Sequence, residues 1–162
     1  MPHDEMTPQQ REQLTRWVES VCQDLARRLV QREILGKDTR VESRWVWPGR
    51  LVIGVAFEKS NPAQSKLWVV GGEQITPDFV ALKVARNPRE VARHLALDWQ
   101  AKGARLASAG DAKEGEEQGQ LDWGSMDQSL QEQAELMYAL AEDDNMWPNL
   151  EDEPGAGSDR KD

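Results

Sequence analysis

The chain has few of the residues on which metal sites and nucleophilic sites depend. It contains one cysteine, Cys22, and two histidines, His3 and His94. A single cysteine cannot form an internal disulfide, and a zinc site needs more cysteine and histidine ligands than this chain supplies. Glycine-rich phosphate motifs of the GxGxxG and GxxxxGKS/T kinds and the GxSxG nucleophile motif are also missing. The sequence therefore assigns no catalytic residue, no cofactor and no metal.

Long apolar segments are missing as well. No run approaches the roughly 20 apolar residues that span a bilayer, and the N terminus lacks the basic and then apolar layout of a signal peptide. We expect a cytoplasmic protein without a membrane partner, and the lone cysteine agrees with a reducing compartment. The 162 residues are most simply one domain. Because 30 % of them are charged, part of the chain is expected to lie outside a packed core.

The charge is distributed unevenly. Residues 1–106 carry 17 Lys and Arg against 13 Asp and Glu, a net charge of +4. Residues 107–162 carry 3 against 16, a net charge of −13. An acidic C-terminal third can dock on a mildly basic body, bind a basic partner, or serve only to keep the chain soluble.

A long amphipathic helix is predicted at 8–35. Thr7 is placed as its N-cap, with Gln10 completing a capping box, and Gly36 is placed to end it. Apolar residues recur along it every three or four positions and form one stripe. Cys22 lies in this stripe, so we interpret it as a small core residue and not as a reactive thiol.

A mostly antiparallel sheet follows this helix. Three or four strands are predicted. Three lie at 42–47, 50–58 and 65–71, and the pattern at 79–84 is ambiguous but permits a short edge strand. The run 51–57 is apolar at successive positions, which is typical of a central strand covered on both faces. Alternation in the first strand places four residues on one face, namely Val41, Ser43, Trp45 and Trp47.

Two further helices complete an α+β fold. Asn87 is a good N-cap for a helix at 88–107, and a third helix is predicted at 124–143. The expected division is an α+β core at 1–107, a flexible acidic linker at 108–120, a C-terminal helical region at 121–147 and a disordered acidic tail at 148–162. The third helix is expected to dock on the core through four apolar residues, Trp123, Met126, Leu130 and Met137.

Tryptophan is over-represented, with seven Trp against one Tyr and two Phe. Trp45 and Trp47 share one face of the first strand. They form part of the core if a helix covers that face, and an interaction surface if it stays open. Trp147 lies next to a proline among acidic residues, so it is a candidate anchor that docks on its own domain or on another chain.

Two polar groupings are weaker candidates. His94 and Asp98 stand four residues apart on a helix and share a face, so they could line a pocket together with Trp68. The alternative is that His94 and Asp98 are an exposed surface pair without a functional role. A basic cluster near the end of the first helix could contact phosphate or nucleic acid, and it consists of Arg27, Arg28, Arg32, Lys37 and Arg40. A solvated helix end, favoured by the negative C-terminal dipole, is the preferred explanation of that cluster, and the acidic composition disfavours nucleic acid.

The chain also resembles a known family. The runs SRWVWPGRLVIGVAF, KLWVVGG with TPDFV, NPREVARHLALDWQAKGARL and a final acidic helix ending in MW are similar to a family of small proteins from Gram-negative bacteria that is known as a domain of unknown function. The resemblance covers residues 10–147. It implies the same order of helices and strands and an intracellular bacterial setting, and it transfers no activity, cofactor or catalytic residue.

Two functional hypotheses follow. The first is a non-enzymatic protein-interaction or adaptor module, whose candidate surface is formed by Trp45, Trp47 and Trp147. The alternative is an enzyme or small-ligand-binding protein with a pocket near His94, Asp98 and Trp68. The sequence specifies neither the partner nor the oligomeric state.

Overall fold

A computed structural model describes residues 6–61, 65–73, 75–109, 127–148, 150–154 and 156 of the chain. In this part, three α-helices and a four-stranded antiparallel sheet form the α+β fold that the sequence predicts. Their order along the chain is α1 (Pro8–Gln31), β1 (Thr39–Trp47), β2 (Leu51–Glu58), β3 (Leu67–Gly72), β4 (Asp78–Ala81), α2 (Pro88–Ala109) and α3 (Asp127–Glu142). The predictions for residues 110–120, Trp123 and Met126 lie outside the described residues.

Helix α1 begins as predicted. The Thr7 hydroxyl accepts a hydrogen bond from the backbone N–H of Gln10 at 3.1 Å, and the Gln10 side chain accepts one from the Thr7 N–H at 2.9 Å. Both bonds of the capping box are therefore present, and they satisfy two N–H groups that have no partner inside the helix.

Helix α1 ends earlier than predicted, and Gly36 is not its terminating residue. Glu33 instead adopts the left-handed conformation, with φ of 60°. The Ile34 N–H donates to the Leu29 carbonyl at 2.9 Å, and the Glu33 N–H donates to the Val30 carbonyl at 3.0 Å. This pair of bonds is the Schellman motif, in which Ile34 folds back to pack near Leu29. The helix thus ends where the chain turns and the apolar side chain of Ile34 packs against the core.

The sheet has the strand order β1-β2-β3-β4, so β2 and β3 occupy its centre. Residues 51–57 are buried, which confirms the predicted central strand. Helix α1 covers one face, where Leu25 and Leu29 pack on Ala56 and Val69. Helices α2 and α3 cover the other face, and the molecule therefore has three layers with the sheet in the middle.

Strand β1 departs from the predicted alternation. Its pairing with β2 shifts register between Ser43 and Trp45, which is the mark of a β-bulge. Val41 packs with the α1 side of the sheet, whereas Trp45 and Trp47 pack with the α2 and α3 side. The prediction that Val41 and Ser43 share a face with the two tryptophans is therefore wrong, because the extra residue reverses the facing halfway along the strand.

Helices α2 and α3 form an antiparallel hairpin. Asn87 caps α2, since its side-chain oxygen accepts from the Glu90 N–H at 3.1 Å. Arg93 forms an ion pair with Glu142 at 3.5 Å, while Gly103 lies against Gln131 nearer the other end of the hairpin. Leu130 and Met137 of α3 are fully buried in the core. Both are among the four residues through which the third helix was predicted to dock.

Candidate protein-interaction surfaces

Two of the tryptophans that the sequence singles out, Trp45 and Trp147, stack on each other. The ring centroids of Trp45 and Trp147 lie 4.3 Å apart, with an angle of 26° between the ring planes. The Trp45 Nε1–H donates to the Met146 carbonyl at 3.0 Å, and the Trp147 Nε1–H donates to the Leu140 carbonyl at 3.0 Å. We call the pair Trp45 and Trp147 the tryptophan clasp. Each indole has its apolar ring packed and its N–H satisfied, which is the state a buried tryptophan favours.

A short turn after the end of α3 places Trp147 in the clasp. The Asp143 side chain accepts from the Asn145 N–H at 3.0 Å and starts a short 3-10 turn, Asp144–Met146. Arg89 of α2 donates to the Ala141 carbonyl at 2.7 Å and to the Asp144 carboxylate at 2.5 Å. A cation at the C-terminal end of a helix satisfies carbonyls that have no helical partner. The end of α3 is thereby fixed to α2, and the turn directs the Trp147 ring back onto the sheet.

The face that carries Trp45 and Trp47 is covered in part, and both side chains are half-buried. Trp147 covers Trp45, and only 5 % of Trp147 remains exposed. At Trp47, the Arg50 guanidinium lies 5.0 Å from the ring centroid, which is a cation–π contact. Trp147 therefore docks on its own domain in this structure, which is one of the two sites that the sequence left open for it.

Acidic residues beyond the clasp also lie on the body. Two oxygens of Glu153 accept from Arg44, one from Nε at 2.6 Å and the other from Nη2 at 3.1 Å. The Ser65 hydroxyl donates to the same carboxylate at 3.3 Å, and the Asn87 amide donates to Asp152 at 2.9 Å. Residues 150–154, which we call the acidic segment, were expected to belong to a disordered tail. The described part of that tail instead has defined partners.

The contact of Arg44 with Glu153 is electrostatically strong for a surface pair. The side chain of Glu153 is only 8 % exposed and that of Arg44 is 32 % exposed. The hydrogen bond that Arg44 donates to Glu153 is the largest cause that raises the pKa of Arg44 above its usual value, and burial opposes it. A second carboxylate, that of Glu42, binds the remaining nitrogen Nη1 at 3.1 Å. Arg44 is thus held from one side by its own strand and offers its other edge to the acidic segment.

A cleft of about 480 Å³ lies between the body and the acidic segment. Arg44, Trp45, Ser65 and Pro88 line it from the body, and the acidic segment lines it from the other side. A second cleft of about 450 Å³ lies between α1 and β1 and is more apolar, with Leu14, Val18 and Val46 among its lining residues. Neither cleft is lined by His94, Asp98 or Trp68.

The three residues of the predicted pocket differ in their exposure to solvent and do not line a common cleft among the two described above. His94 is exposed on α2, and Asp98 pairs with Lys102 on the same helix at 3.2 Å. Trp68 is fully buried, and its Nε1–H donates to the Ala85 carbonyl at 2.9 Å. Trp68 therefore contributes to the core of the described structure, whereas His94 faces solvent.

An apolar patch on the outer face of the helical hairpin was not predicted from the sequence. Leu97 of α2 is 58 % exposed, and Tyr138 of α3 is 54 % exposed. Leu97 lies one helical turn after Arg93, and Tyr138 lies one turn before Glu142, so the 3.5 Å pair of Arg93 and Glu142 places the two residues at the same level. We call Leu97 and Tyr138 the hairpin patch. From helical spacing alone, Leu97 is expected to widen the apolar, core-facing side of its helix, and its exposure shows that this expectation is wrong.

A buried polar cluster, also missed, joins the hairpin to the sheet. Asp78 of β4 is 1 % exposed and accepts from the Trp99 Nε1–H at 2.7 Å. The Gln133 side chain of α3 accepts from the Thr76 backbone N–H at 2.7 Å. Each helix of the hairpin therefore has its own hydrogen bond to the segment around β4. Such buried bonds fix one arrangement of the layers, since an unpaired buried polar group is costly.

Two residues of the predicted basic cluster have an ionic partner on their own helix. Arg27 and Arg28 of the basic cluster both bind Asp24, one helical turn earlier. Within the described ranges, no group of three or more His, Cys, Asp and Glu residues could hold a metal ion. No helix in the same part of the chain is long and apolar enough to cross a membrane.

Comparison with known proteins identifies the family but no close relative. Neither the curated proteins nor the solved structures contain a match to this chain. A family model described as "Domain of unknown function (DUF4826)" matches residues 10–147. The match includes the three helices, the sheet and the tryptophan clasp, and it ends at Trp147, before the acidic segment. The chain therefore belongs to the DUF4826 family.

Proposed function

We propose that this protein is a non-enzymatic protein-interaction module that presents the hairpin patch to a partner protein. The observation that supports this proposal is the exposure of Leu97 and Tyr138, each by more than half, at one level of two packed helices. Single exposed apolar residues are ordinary, but an apolar patch with a polar rim is typical of a binding site. Tyrosine is enriched in such sites because it combines a large apolar ring with a hydroxyl.

The rim of the hairpin patch also suits an interface. Arg93 and Glu142 border it, and their side chains are 44 % and 49 % exposed. Glu135 lies one turn before the tyrosine and is exposed as well. Charged groups at a rim contribute to specificity and to the association rate more than to affinity. A partner that covers the patch would present an apolar residue between groups of opposite charge.

The energy available from the patch sets its role. Complete burial of a large apolar side chain contributes about 1.5–3 kcal/mol. Since about half of each side chain is already covered, the two together supply roughly 2–3 kcal/mol. That amount changes an affinity by about 30-fold to 150-fold. The patch is therefore a hot spot within a larger contact and not a complete interface.

The tryptophans have a supporting role in this proposal. Trp147 is buried in the clasp and its N–H is satisfied by the end of α3. The clasp thereby holds the end of α3 against β1, and Arg89 fixes the same end to α2. Together these contacts support the arrangement of the two helices that carry the patch. As part of the same proposal, the setting is the cytoplasm of a bacterial cell, which suits a chain whose one cysteine is buried.

The test is a comparison of proteins captured by the full chain and by two variants. The double variant Leu97→Ser with Tyr138→Ser removes the patch. The matched control is Val84→Ser, which changes an apolar residue that is 41 % exposed on a different part of the surface. Captured proteins are identified and quantified by mass spectrometry, and thermal unfolding verifies that each variant is folded.

We expect at least one protein to be captured equally by the wild type and the Val84 variant, and at least ten-fold less by the patch variant. Such a loss corresponds to about 1.4 kcal/mol of binding free energy. Equal capture by all three chains, or the lack of any protein enriched by the wild type, would overturn the proposal.

A further inference from the structure

We propose that Arg44, Ser65 and Asn87 form a second binding site, which takes an acidic segment of a partner protein and which residues 150–154 occupy in the isolated chain. This site is separate from the hairpin patch, and it does not depend on the function proposed above. The chain itself shows what the site binds, because its own acidic segment is seated there with defined hydrogen bonds.

The site has the geometry of a carboxylate receptor. Arg44 presents Nε and Nη2 to the two oxygens of Glu153, at 2.6 Å and 3.1 Å. This two-bond arrangement is the strongest that a guanidinium makes with a carboxylate, and it fixes orientation as well as distance. Glu42 holds Nη1 from behind, so the donating edge of Arg44 keeps its direction when the acidic segment leaves.

The other contacts specify the partner more closely. Asn87 donates to the carboxylate of Asp152, the residue before Glu153. The backbone N–H of Glu153 donates to the Arg86 carbonyl at 2.8 Å, so the body also binds the main chain of the segment. Leu150 packs against the core beside the clasp. The preferred peptide therefore has two successive acidic residues and an apolar residue three positions before the second one.

The acidic segment can leave without disturbing the fold. It is held by a few side-chain and main-chain hydrogen bonds and by the half-buried side chain of Leu150. When it leaves, water takes its place at Arg44 and solvates the freed Glu153 carboxylate, so the net loss is smaller than the strength of the direct bonds. Trp147 is buried and keeps its own partners, so the clasp stays closed while residues after Pro148 move. The cleft of about 480 Å³ beside the segment adds room for a longer peptide.

An attached segment competes strongly with a free one. A tethered ligand acts at an effective concentration in the millimolar range. An external peptide therefore binds the wild-type chain weakly, and it binds more tightly when the internal carboxylate is removed. This relation gives the proposal a direct test with the full chain.

The experiment measures fluorescence anisotropy with a labelled peptide of the sequence NLEDEPGA, which is that of residues 149–156. The Glu153→Gln variant removes the internal carboxylate, and the matched control Glu151→Gln changes an exposed glutamate of the same segment. We expect Glu153→Gln to bind the peptide at least ten-fold more tightly than the wild type, and Glu151→Gln to bind it as the wild type does. Adding Arg44→Ala to Glu153→Gln should abolish binding, with thermal unfolding as the check that the chain stays folded.

Three results would overturn the proposal. The first is equal affinity of the Glu153→Gln variant and the wild type, and the second is binding that persists without Arg44. The third is a wild-type dimer, seen by light scattering, that the peptide dissociates, because the occupant would then be a second copy of this chain. A labelled octapeptide of glutamates should bind at least ten-fold more weakly, and equal affinity would contradict recognition of the apolar residue at the position of Leu150.

Discussion

Replacing Trp147 by alanine is the sharpest test of how the C-terminal end stabilises the fold. The side chain is 5 % exposed, stacks on Trp45 at 4.3 Å, and donates to the Leu140 carbonyl at 3.0 Å. Truncating a buried tryptophan costs about 3–5 kcal/mol, since packing is lost and a cavity remains. The variant also leaves a buried carbonyl without its donor. We therefore expect a loss of about 4 kcal/mol in the free energy of unfolding.

Urea unfolding followed by far-UV circular dichroism measures this loss, because the signal comes from the helices and not from the removed ring. Trp147→Phe is the matched control. It keeps an aromatic ring in the clasp and removes the N–H, so it should lose only about 1–2 kcal/mol. A double-mutant cycle with Trp45→Ala should give a coupling of about 0.5–1.5 kcal/mol, as expected for stacked rings.

A loss of less than about 1 kcal/mol for Trp147→Ala would refute this reasoning. It would mean that the ring is not packed in solution, and that α3 is held only by its contacts with α2. A large loss without coupling to Trp45 would show instead that the hydrogen bond at the end of α3 matters more than the stacking of the rings.

Four further predictions concern single residues. Glu33→Gly should raise the free energy of unfolding by about 0.5–1 kcal/mol, because glycine adopts the observed φ of 60° without the cost that other residues bear; chemical denaturation measures it, and Glu33→Ala should bring no such gain. Thr76→Val should be neutral or stabilising by up to about 1 kcal/mol, since the Thr76 hydroxyl is buried and lacks a hydrogen-bond partner within the described structure. Thr39→Val should destabilise, because the Thr39 hydroxyl donates to the Gly36 carbonyl, and the reverse order of the two variants in thermal unfolding would contradict this assignment. Burial, with smaller contributions from two nearby glutamates, raises the pKa of the Cys22 thiol from 9.0 to about 11. Cys22 should therefore stabilise the fold below pH 9, and this contribution should be lost as the pH rises towards 11; at pH 8 its reaction with a thiol reagent should be about 100-fold slower in the folded chain than in urea, and equal rates would exclude the burial.

The sequence predicted those features that depend on local pattern. The capping box at Thr7 and the buried strand β2 both follow from a few neighbouring residues, and the structure has them as expected. The end of α1 could not be read in the same way. Gly36 is the residue that local propensity favours for the left-handed position, yet Glu33 takes it because Ile34 gains a place in the core.

The bulge in β1 shows a second limit. A bulge adds one residue to a strand without any required residue type, so the alternation in the sequence looks continuous across it. Only the pairing with β2 shows that Trp45 and Val41 face opposite layers. The sequence therefore predicted that these residues of β1 are apolar and face a layer of the core. It could not predict that Val41 and Trp45 face opposite layers.

The candidate surfaces were predictable in part. The excess of tryptophan drew attention to Trp45 and Trp147, and the structure brings them together. Their partnership depends on contacts across the fold that no local pattern records. For Leu97 the prediction was wrong, because the residue is exposed. An apolar residue near the apolar stripe of a helix is assigned to the core unless the position of the neighbouring helix is known.

The tryptophan clasp also bears on how the chain folds during its synthesis. Trp45 and Met146 are joined by a hydrogen bond across 101 residues of sequence, and Arg44 and Glu153 across 109. The four strands, by contrast, pair in the order in which they are made, so the sheet can form while the ribosome is still translating α2. The Trp45 ring then stays without its cover until the segment around Trp147 has emerged. A nascent chain that pauses before that point exposes an aromatic surface, which is the kind of surface that chaperones bind and that aggregation begins from.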